Sequence, residues 1–287
     1  MKELIKLIDS KLDEYLQITY PEEIFKAMKY TLMLPGKRLR PVMCLETVRM
    51  LGGDIAKALP TACAIEMLHV QSLIHDDLPC MDNDDFRRGK PSNHKVFGEA
   101  NAVLAGDALL TFAPQLIIEK SQCLACETVL KLVHEYTKFA GAYSLIAGQV
   151  VDIESEGGKL IRSAEETLDF IHLNKTAVLF RLAVRCGAII SDESKLEELD
   201  NFATKFGLAF QIYDDIMDEI STFEELGKTL GKDKNSGKLT YVTLYGLNEA
   251  KNKFRLLLDD CYDIVKKYDS EIFKTILDKL RDRILGV

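Results

Sequence analysis

The sequence has 287 residues, is 47% hydrophobic and carries a formal net charge of -8, so it can bury a large core and lacks the overall basic charge typical of nucleic-acid-binding proteins. We expect no secretion signal at the start of the chain, and no apolar run that reaches the length of a membrane span. Its seven cysteines are an odd number, which is typical of reduced thiols. We therefore expect a soluble cytoplasmic protein without nucleic-acid binding or membrane insertion.

Apolar residues recur with helical spacing along most of the chain. Pro21, Pro41 and Pro60 suit the first turn of a helix, whereas Pro114 lies inside a helical pattern and predicts a kink. We find no alternating strand-like segments flanked by hairpin turns, so the sequence predicts an all-α protein. The predicted helices are 2–18, 21–33, 41–51, 60–77, 99–119, 125–147, 164–187, 194–219, 240–265 and 270–285.

Residues 61–74 and 203–216 are apolar nearly all round, as expected of central helices in a bundle. Elsewhere the helical pattern is interrupted by segments that combine glycine with charge. Because none of these resembles a flexible interdomain linker, we predict a single domain over residues 1–287. The interrupting segments are 82–95, 154–163 and 221–238.

Two aspartate clusters follow apolar helical sequence. In the second cluster, Asp214 and Asp218 lie one helical turn apart and share a face. In the first, Asp76 and Asp82 would diverge on a straight helix, so we expect Pro79 to end the helix and let the chain fold back. The complete clusters are Asp76-Asp77-Leu-Pro-Cys-Met-Asp82 and Asp214-Asp215-Ile-Met-Asp218.

One such cluster would fit surface charges at a helix end. Two clusters, each embedded in hydrophobic sequence, favour a shared site for a hard cation, because carboxylates without partners are costly to place among apolar residues. Ligands that are oxygen atoms only, with few fixed contacts, suit Mg²⁺, which keeps several waters and binds substrate phosphates.

Basic residues alternate with the acidic clusters along the chain. The segment from Gly36 to Arg40 precedes Pro41 at a predicted helix start, where backbone N–H groups add to the positive field. Each cation alone would be typical of a solvated charge. Together they indicate two diphosphate sites, one bridged by metal and one held by cations alone. The basic residues are Lys37, Arg40, Arg87, Arg88, Lys175, Lys228, Lys232, Lys234 and Lys238.

These motifs resemble those of the short-chain trans-polyprenyl diphosphate synthases, above all the bacterial farnesyl diphosphate synthases. Leu34-Pro-Gly-Lys-Arg-Leu-Arg-Pro41 is similar to the family's Gly-Gly-Lys-Arg-Leu-Arg-Pro element, with Pro35 in place of the first glycine. Residues 66–89 and 210–218 resemble the two aspartate-rich regions of the family. The resemblance runs from about Tyr30 to Ala250.

The resemblance implies an isoprenoid-synthase-type helical bundle with a large central cavity. It implies a homodimeric trans-prenyltransferase that joins isopentenyl diphosphate to dimethylallyl or geranyl diphosphate and makes farnesyl diphosphate. Several Mg²⁺ ions would be bound by Asp76, Asp82 and Asp214. Asp77, Asp215 and Asp218 would support these ligands or join them.

The resemblance also assigns substrate contacts. His69 lies seven residues before Asp76, about 20° from the same helical face, which supports its assignment independently. His75, His94, His134 and His172 have no metal-ligand spacing, so we expect structural roles for them. The implied contacts are Lys37, Arg40, His69 and Arg88 for isopentenyl diphosphate, Arg87, Lys175, Lys228 and Lys238 for the allylic diphosphate, Thr176 and Gln211 near the reacting carbons, and Gln149 and Asp152 beside the pocket.

Product length in this family depends on the helix ahead of the first aspartates, which forms the pocket floor. Ser72 shares a face with Asp76, and Gln71 borders that face. Bacterial farnesyl synthases often place an aromatic residue where Gln71 stands, so geranylgeranyl diphosphate is the alternative product. A terpene cyclase or a silent partner subunit would be expected to lack part of the aspartate and cation set found here.

Overall fold

A computed structural model describes residues 1–156, 158, 162–220 and 239–286. This part of the chain is helical apart from one short hairpin, which confirms the all-α prediction. It packs as two compact units, Met1–Thr137 with Cys186–Glu193, and Lys138–Arg185 with Ser194–Val287. A single domain over the whole chain stays a prediction.

The elements follow one another in a simple order. Helices α1 to α11 are interrupted by a β-hairpin, a π-helical turn and a 3₁₀ turn, and α12 to α14 follow. In chain order they are α1 Lys2–Tyr15, α2 Glu22–Leu32, α3 Leu39–Met50, α4 Ile55–Asp76, β1 Phe86–Arg87, β2 Lys90–Pro91, α5 Asn93–Phe97, α6 Glu99–Lys120, α7 Cys126–Ala140, α8 Leu145–Glu156, α9 Ala164–Ile171, the π-helix His172–Ala177, α10 Val178–Ser191, the 3₁₀ turn Glu193–Lys195, α11 Leu196–Ile220, α12 Tyr241–Tyr245, α13 Leu247–Tyr268 and α14 Glu271–Leu285.

Helix α4 is the centre of the first unit, as its apolar sequence predicts. Its side chains are buried nearly all round, and it packs against α1, α2, α3 and α6. Gly106 of α6 lies directly against α4, where a Cβ would stand 2.0 Å from His75 Nε2, so the two helices approach closely at this point. Asp76 therefore lies at the end of a helix that is packed on several sides.

Helix α11 has the same role in the second unit. It packs against α12, α13, α14 and the π-helix. Phe202 and Phe206 of α11 are buried, and the Phe206 ring meets that of Phe180 edge to face at 5.0 Å between centroids. The aspartates at the end of α11 thus extend from an aromatic core.

Several helix boundaries differ from those predicted. Helix α4 begins earlier because the Asp54 carboxylate accepts a hydrogen bond of 2.9 Å from the Ala56 N–H, so Pro60 lies inside the helix rather than in its first turn. The predicted helix 125–147 is two helices, α7 and α8. The predicted helix 240–265 is also two, because Gly246, with φ of 81°, separates α12 from α13.

Helix α6 is a correction to the expected absence of long apolar runs. It has 22 residues and a stretch of mean hydropathy 1.4, so by length and composition alone it is able to cross a membrane. Of that stretch, 39% is buried in the protein. The core helix of a soluble protein passes the same test, and α6 packs against α4, which is consistent with such a role.

Candidate active site

The first aspartate cluster lies where α4 ends. The helix stops at Asp76, and the N–H of Asp82 then donates to the Asp76 carbonyl over 2.9 Å. The expected end of the helix and return of the chain around Pro79 are therefore confirmed. The backbone brings the two predicted ligands to the same end of α4 although six positions separate them in the sequence.

The two aspartates of this first pair have different environments. Asp77 is buried; the Arg87 Nε–H is shared between its two carboxylate oxygens, at 2.9 and 3.2 Å, and Arg87 Nη2 donates a further hydrogen bond to it. Burial raises the pKa of the Asp77 carboxyl, and the Arg87 guanidinium opposes that shift. Asp76 is only partly buried, so it is the member of the pair with access to solvent.

The second cluster repeats this division. Asp215 is buried and accepts hydrogen bonds from the Gln211 side chain at 2.9 Å and from the Tyr241 backbone N–H at 2.8 Å. Asp214 is exposed, and Asp218 is partly exposed. In both pairs, therefore, the first aspartate faces solvent and the second is held by donors of the protein.

A short hairpin, which the sequence analysis missed, presents the two arginines. Strands β1 and β2 pair antiparallel, and the turn residues Arg88 and Gly89 have φ of 52° and 74°. Positive φ at both central residues is typical of the type I′ turn that matches strand twist. Strands of two residues are too short to produce an alternating pattern, which is why we expected a plain loop.

The cations predicted to bind isopentenyl diphosphate gather in the first unit. Arg40 Nη1 lies 3.3 Å from His69 Nε2, and because a guanidinium only donates, that nitrogen must accept and the proton is on Nδ1. Burial, with the nearby charges of Arg40 and Arg88, lowers the pKa of His69 well below its usual range. His69 is therefore neutral beside these cations. Lys37, three residues before Arg40 in the sequence, is exposed to solvent.

Lys175 and Thr176 lie in a π-helix rather than in the continuous α-helix predicted for residues 164–187. Glycines of two neighbouring helices lie directly against the backbone of this π-helix. A Cβ at Gly148 of α8 would stand 2.6 Å from the Lys175 nitrogen, and one at Gly207 of α11 would stand 2.4 Å from the Ala177 Cα. The backbones of α8 and α11 are therefore so close to the π-helix that no side chain fits between them at these two positions.

Side chains of the π-helix are tied to carboxylates and amides around them. Lys175 Nζ donates to the buried Asp152 over 2.5 Å. Thr176 donates its hydroxyl proton to Gln211 Oε1, also over 2.5 Å, while Gln211 donates to Asp215. Because the hydroxyl proton of Thr176 is used in the hydrogen bond to Gln211, its oxygen presents its lone pairs in other directions.

The predicted structural histidines behave accordingly where contacts are described. His75 lies between Gln71 Nε2, at 3.0 Å from its Nδ1, and the Val103 carbonyl, at 3.0 Å from its Nε2. His172 is buried and stacks on the Tyr241 ring, with 5.3 Å between centroids. Burial lowers the pKa of His172 to about 3, while Asp152 acts in the opposite direction.

The predicted residues Lys228 and Lys238, like Lys232 and Lys234, lie outside the described residues. Among the described residues, no three His, Cys, Asp or Glu side chains converge as a ready-made metal centre. Mg²⁺ does not need one, because one or two carboxylates with substrate phosphates and waters are sufficient. The carboxylates of Asp76, Asp82 and Asp214 each reach solvent and are oxygen ligands of the kind that Mg²⁺ prefers, while a cation site shared by both clusters stays a prediction.

Comparisons with known proteins identify the family of this chain. The family model described as polyprenyl synthetase matches residues 21–280. This chain belongs to the polyprenyl synthetase family. The protein is therefore a trans-prenyltransferase of isoprenoid synthesis, as the sequence motifs predicted.

This prenyltransferase is similar to relatives with different products in their names. It is 48% identical over 257 residues to the farnesyl diphosphate synthase of Geobacillus stearothermophilus, covering 88% of this chain and 86% of the relative. It is 47% identical over 273 residues to the chloroplastic geranylgeranyl pyrophosphate synthase 7 of Arabidopsis thaliana, covering 94% and 78%.

A solved structure of geranyltransferase from Helicobacter pylori, complexed with magnesium and isoprenyl diphosphate, has a TM-score of 0.81 to this prenyltransferase. The two are 32% identical, with 99% of this chain and 95% of the other covered. Magnesium use is therefore supported in the family, in agreement with the oxygen ligands predicted here.

Other features of the site were missed in the sequence. Spacing does not reveal that Asp152 pairs with Lys175 or that the Tyr241 N–H reaches Asp215, since each contact joins distant segments. The element Gly-Gln-Val-Val-Asp, which includes Gly148 and Asp152, was the available signal. In this element Gly148, which lies against the π-helix, and Asp152, which pairs with Lys175, are one turn apart on α8.

Proposed function

We propose that this prenyltransferase makes farnesyl diphosphate from isopentenyl diphosphate and dimethylallyl or geranyl diphosphate with the help of bound Mg²⁺. The main support is Gln71, which is buried and hydrogen-bonded to His75 on the helix that ends at the first aspartates. A held glutamine fills the pocket floor more than a mobile one would. Geranylgeranyl diphosphate is the second candidate, favoured by the absence of an aromatic residue at position 71.

Charged residues of the site would bind the allylic diphosphate and assist its departure. Arg87 and Lys175, each oriented by a buried carboxylate, would hold the allylic diphosphate and stabilise its negative charge as the C–O bond breaks. Bound Mg²⁺ would supply further stabilisation of that leaving diphosphate. The oxygen of Thr176 would lie near the allylic cation, which the isopentenyl double bond attacks. The carbocation formed by this attack would then lose a proton to the departed diphosphate. No side-chain nucleophile is needed.

Product length tests the farnesyl proposal. The purified protein is incubated with isopentenyl diphosphate and each allylic starter, and the chain length of the product is measured. Farnesyl diphosphate is expected from the wild type. Gln71→Ala is expected to deepen the pocket and shift the product towards geranylgeranyl diphosphate, whereas Ser72→Phe is expected to shift it towards geranyl diphosphate.

Ser72 is a suitable site for this test because its hydroxyl donates only to the His69 carbonyl of its own helix, over 2.8 Å, among the described contacts. Ser72→Ala is the matched control, and we expect it to leave the product unchanged. An unchanged product in both Gln71→Ala and Ser72→Phe would show that the floor is built elsewhere, for example around Phe112 of α6.

The two diphosphate sites are separable by kinetics. Arg40→Ala is expected to raise chiefly the KM for isopentenyl diphosphate, because Arg40 lies in the cluster with His69. Lys228→Ala is expected to impair the use of the allylic substrate instead. Steady-state rates with one substrate saturating and the other varied measure both effects. Equal effects of each variant on both substrates would contradict the assignment of separate sites.

We also propose that the protein is a cytoplasmic homodimer. Apolar side chains of α6 are exposed in the single chain, including Leu104 and Ile118, each 55% accessible to solvent. A second copy would bury such a surface, since symmetric homodimers are common among soluble oligomers. The buried Cys44, Cys63 and Cys261 are free thiols, which is consistent with a reducing compartment.

A further inference from the structure

A buried ion pair lies beside residues 36–40, which lead into α3 and which we call the cationic loop. Arg38 and Glu66 are 3% and 1% exposed, and Arg38 Nη1 donates to Glu66 Oε1 over 2.8 Å. Neither residue belongs to the set predicted to touch substrate. Such a pair brings little net stability, because two charges must be removed from water to form it. Its position next to the loop that carries Lys37 and Arg40 therefore suggests a positioning role.

Arg38 holds the loop by binding back onto the segment that precedes it. Its Nη2 donates to the carbonyls of Leu32 and Leu34, over 2.8 and 3.1 Å, and its Nε donates to Asp9 of α1 over 2.8 Å. The backbone of Arg38 is left-handed, with φ of 47°. These contacts hold Arg38 immediately before α3, whose first turn contains Arg40.

Glu66 also lies beside a second arginine. Its Oε1 is 4.0 Å from Arg88 Nη2, and Arg88 Nη1 donates to the same Leu34 carbonyl over 3.3 Å. On its other side the Arg88 guanidinium lies directly on Gly36, where a Cβ would stand 2.7 Å from Nη1. One buried carboxylate therefore separates the charges of Arg38 and Arg88.

We propose that Glu66 is a positioning residue that holds Arg88 and, through Arg38, the cationic loop in the arrangement that receives the diphosphate of isopentenyl diphosphate. This inference rests on the proposed function of the site. Cations that are already oriented need no rearrangement when the anion binds, which favours affinity. Without the Glu66 charge, Arg38 and Arg88 repel each other, and Arg88, with a side chain 20% exposed, turns towards water.

The first test uses Glu66→Gln, which keeps the size and an acceptor oxygen but removes the charge. We expect the KM for isopentenyl diphosphate to rise about tenfold, with the KM for the allylic substrate unchanged. Glu46→Gln is the matched control, since Glu46 is a buried carboxylate of the same unit that pairs with Arg49 instead. We expect that control to leave both KM values unchanged.

A double-mutant cycle then asks whether Glu66 acts through Arg88. Gly36→Ala introduces a methyl group where the flexible end of Arg88 lies, so it displaces that guanidinium while Glu66 remains. We expect Gly36→Ala to raise the KM for isopentenyl diphosphate by a similar factor and the double variant Gly36→Ala/Glu66→Gln to add little more. Fully multiplicative effects would show that Glu66 does not work through Arg88 and would overturn the proposal.

A raised KM in Glu66→Gln could result from partial unfolding, so a second variant removes both charges of the Arg38–Glu66 pair. Glu66→Gln with Arg38→Met is expected to unfold near the wild-type temperature and still to show the raised KM. Recovery of both properties would reduce the pair to a structural role and overturn the proposal. The wild type serves to separate this result from failure of the proposed function, because a wild type that does not turn over isopentenyl diphosphate refutes that function directly.

Discussion

Replacing Asp76 or Asp214 by alanine is expected to lower kcat at least about a thousandfold while the helical fold is kept. Each is the solvent-facing aspartate of its pair, whereas Asp77 and Asp215 are buried and hydrogen-bonded within the protein. Removing a metal ligand weakens the stabilisation of the leaving diphosphate. Because the replaced side chains are not part of the core, the cost to stability should be small.

The measurement is a steady-state rate at saturating substrates over a series of magnesium concentrations, with circular dichroism as the check of folding. Glu127→Ala and Asp263→Ala are matched controls, since these carboxylates are 81% and 78% exposed on α7 and α13. Both should retain wild-type turnover. Near wild-type rates for Asp76→Ala and Asp214→Ala at physiological magnesium would refute the metal assignment.

Lys175→Met is expected to lower kcat by about two to three orders of magnitude, because it removes a fixed cation from the leaving diphosphate. It should also lower the free energy of unfolding by about 3 kcal/mol, since the ammonium that pairs with the buried Asp152 carboxylate is lost. Activity and stability are thus both reduced by one change, and a second variant is needed to separate the two effects.

That second variant is Lys175→Met with Asp152→Asn, which removes both charges of the pair. Denaturant unfolding should show most of the lost stability restored, while the rate stays low. If the double variant regains activity together with stability, Lys175 has only a structural role. Lys266→Met is the matched control, because Lys266 is 75% exposed on α13 and should affect neither measurement.

The helical class and the composition of the site were predictable because both depend on local patterns. Apolar periodicity reports directly which residues a helix buries, so α4 and α11 were recognised as central helices. The return of the chain after Pro79 was predictable too, because proline restricts the residues around it whatever their tertiary neighbours. Motif spacing indicated that the two aspartate clusters form a cation site, and the resemblance to the polyprenyl diphosphate synthases implied that Asp76 and Asp214 are among its ligands.

The roles within each aspartate pair were beyond the reach of spacing. Asp77 and Asp215 follow Asp76 and Asp214 directly, and nothing in the motif distinguishes them. Their burial depends on donors from distant segments, such as Arg87 on a two-residue strand and the N–H of Tyr241. The hairpin itself was missed because strands so short leave no periodic signal.

By itself, the sequence determined that the protein is all-α, that it belongs with the polyprenyl synthases and which carboxylates and cations it offers to diphosphates. Only the tertiary structure decided which of these groups are hydrogen-bonded or ion-paired within the protein, and with which partner residues. The π-helix that carries Lys175 has the backbones of α8 and α11 directly against it, because Gly148 and Gly207 have no Cβ that would collide with it. Helical periodicity records whether a residue is buried, whereas the distance and identity of its partner depend on segments far away along the chain.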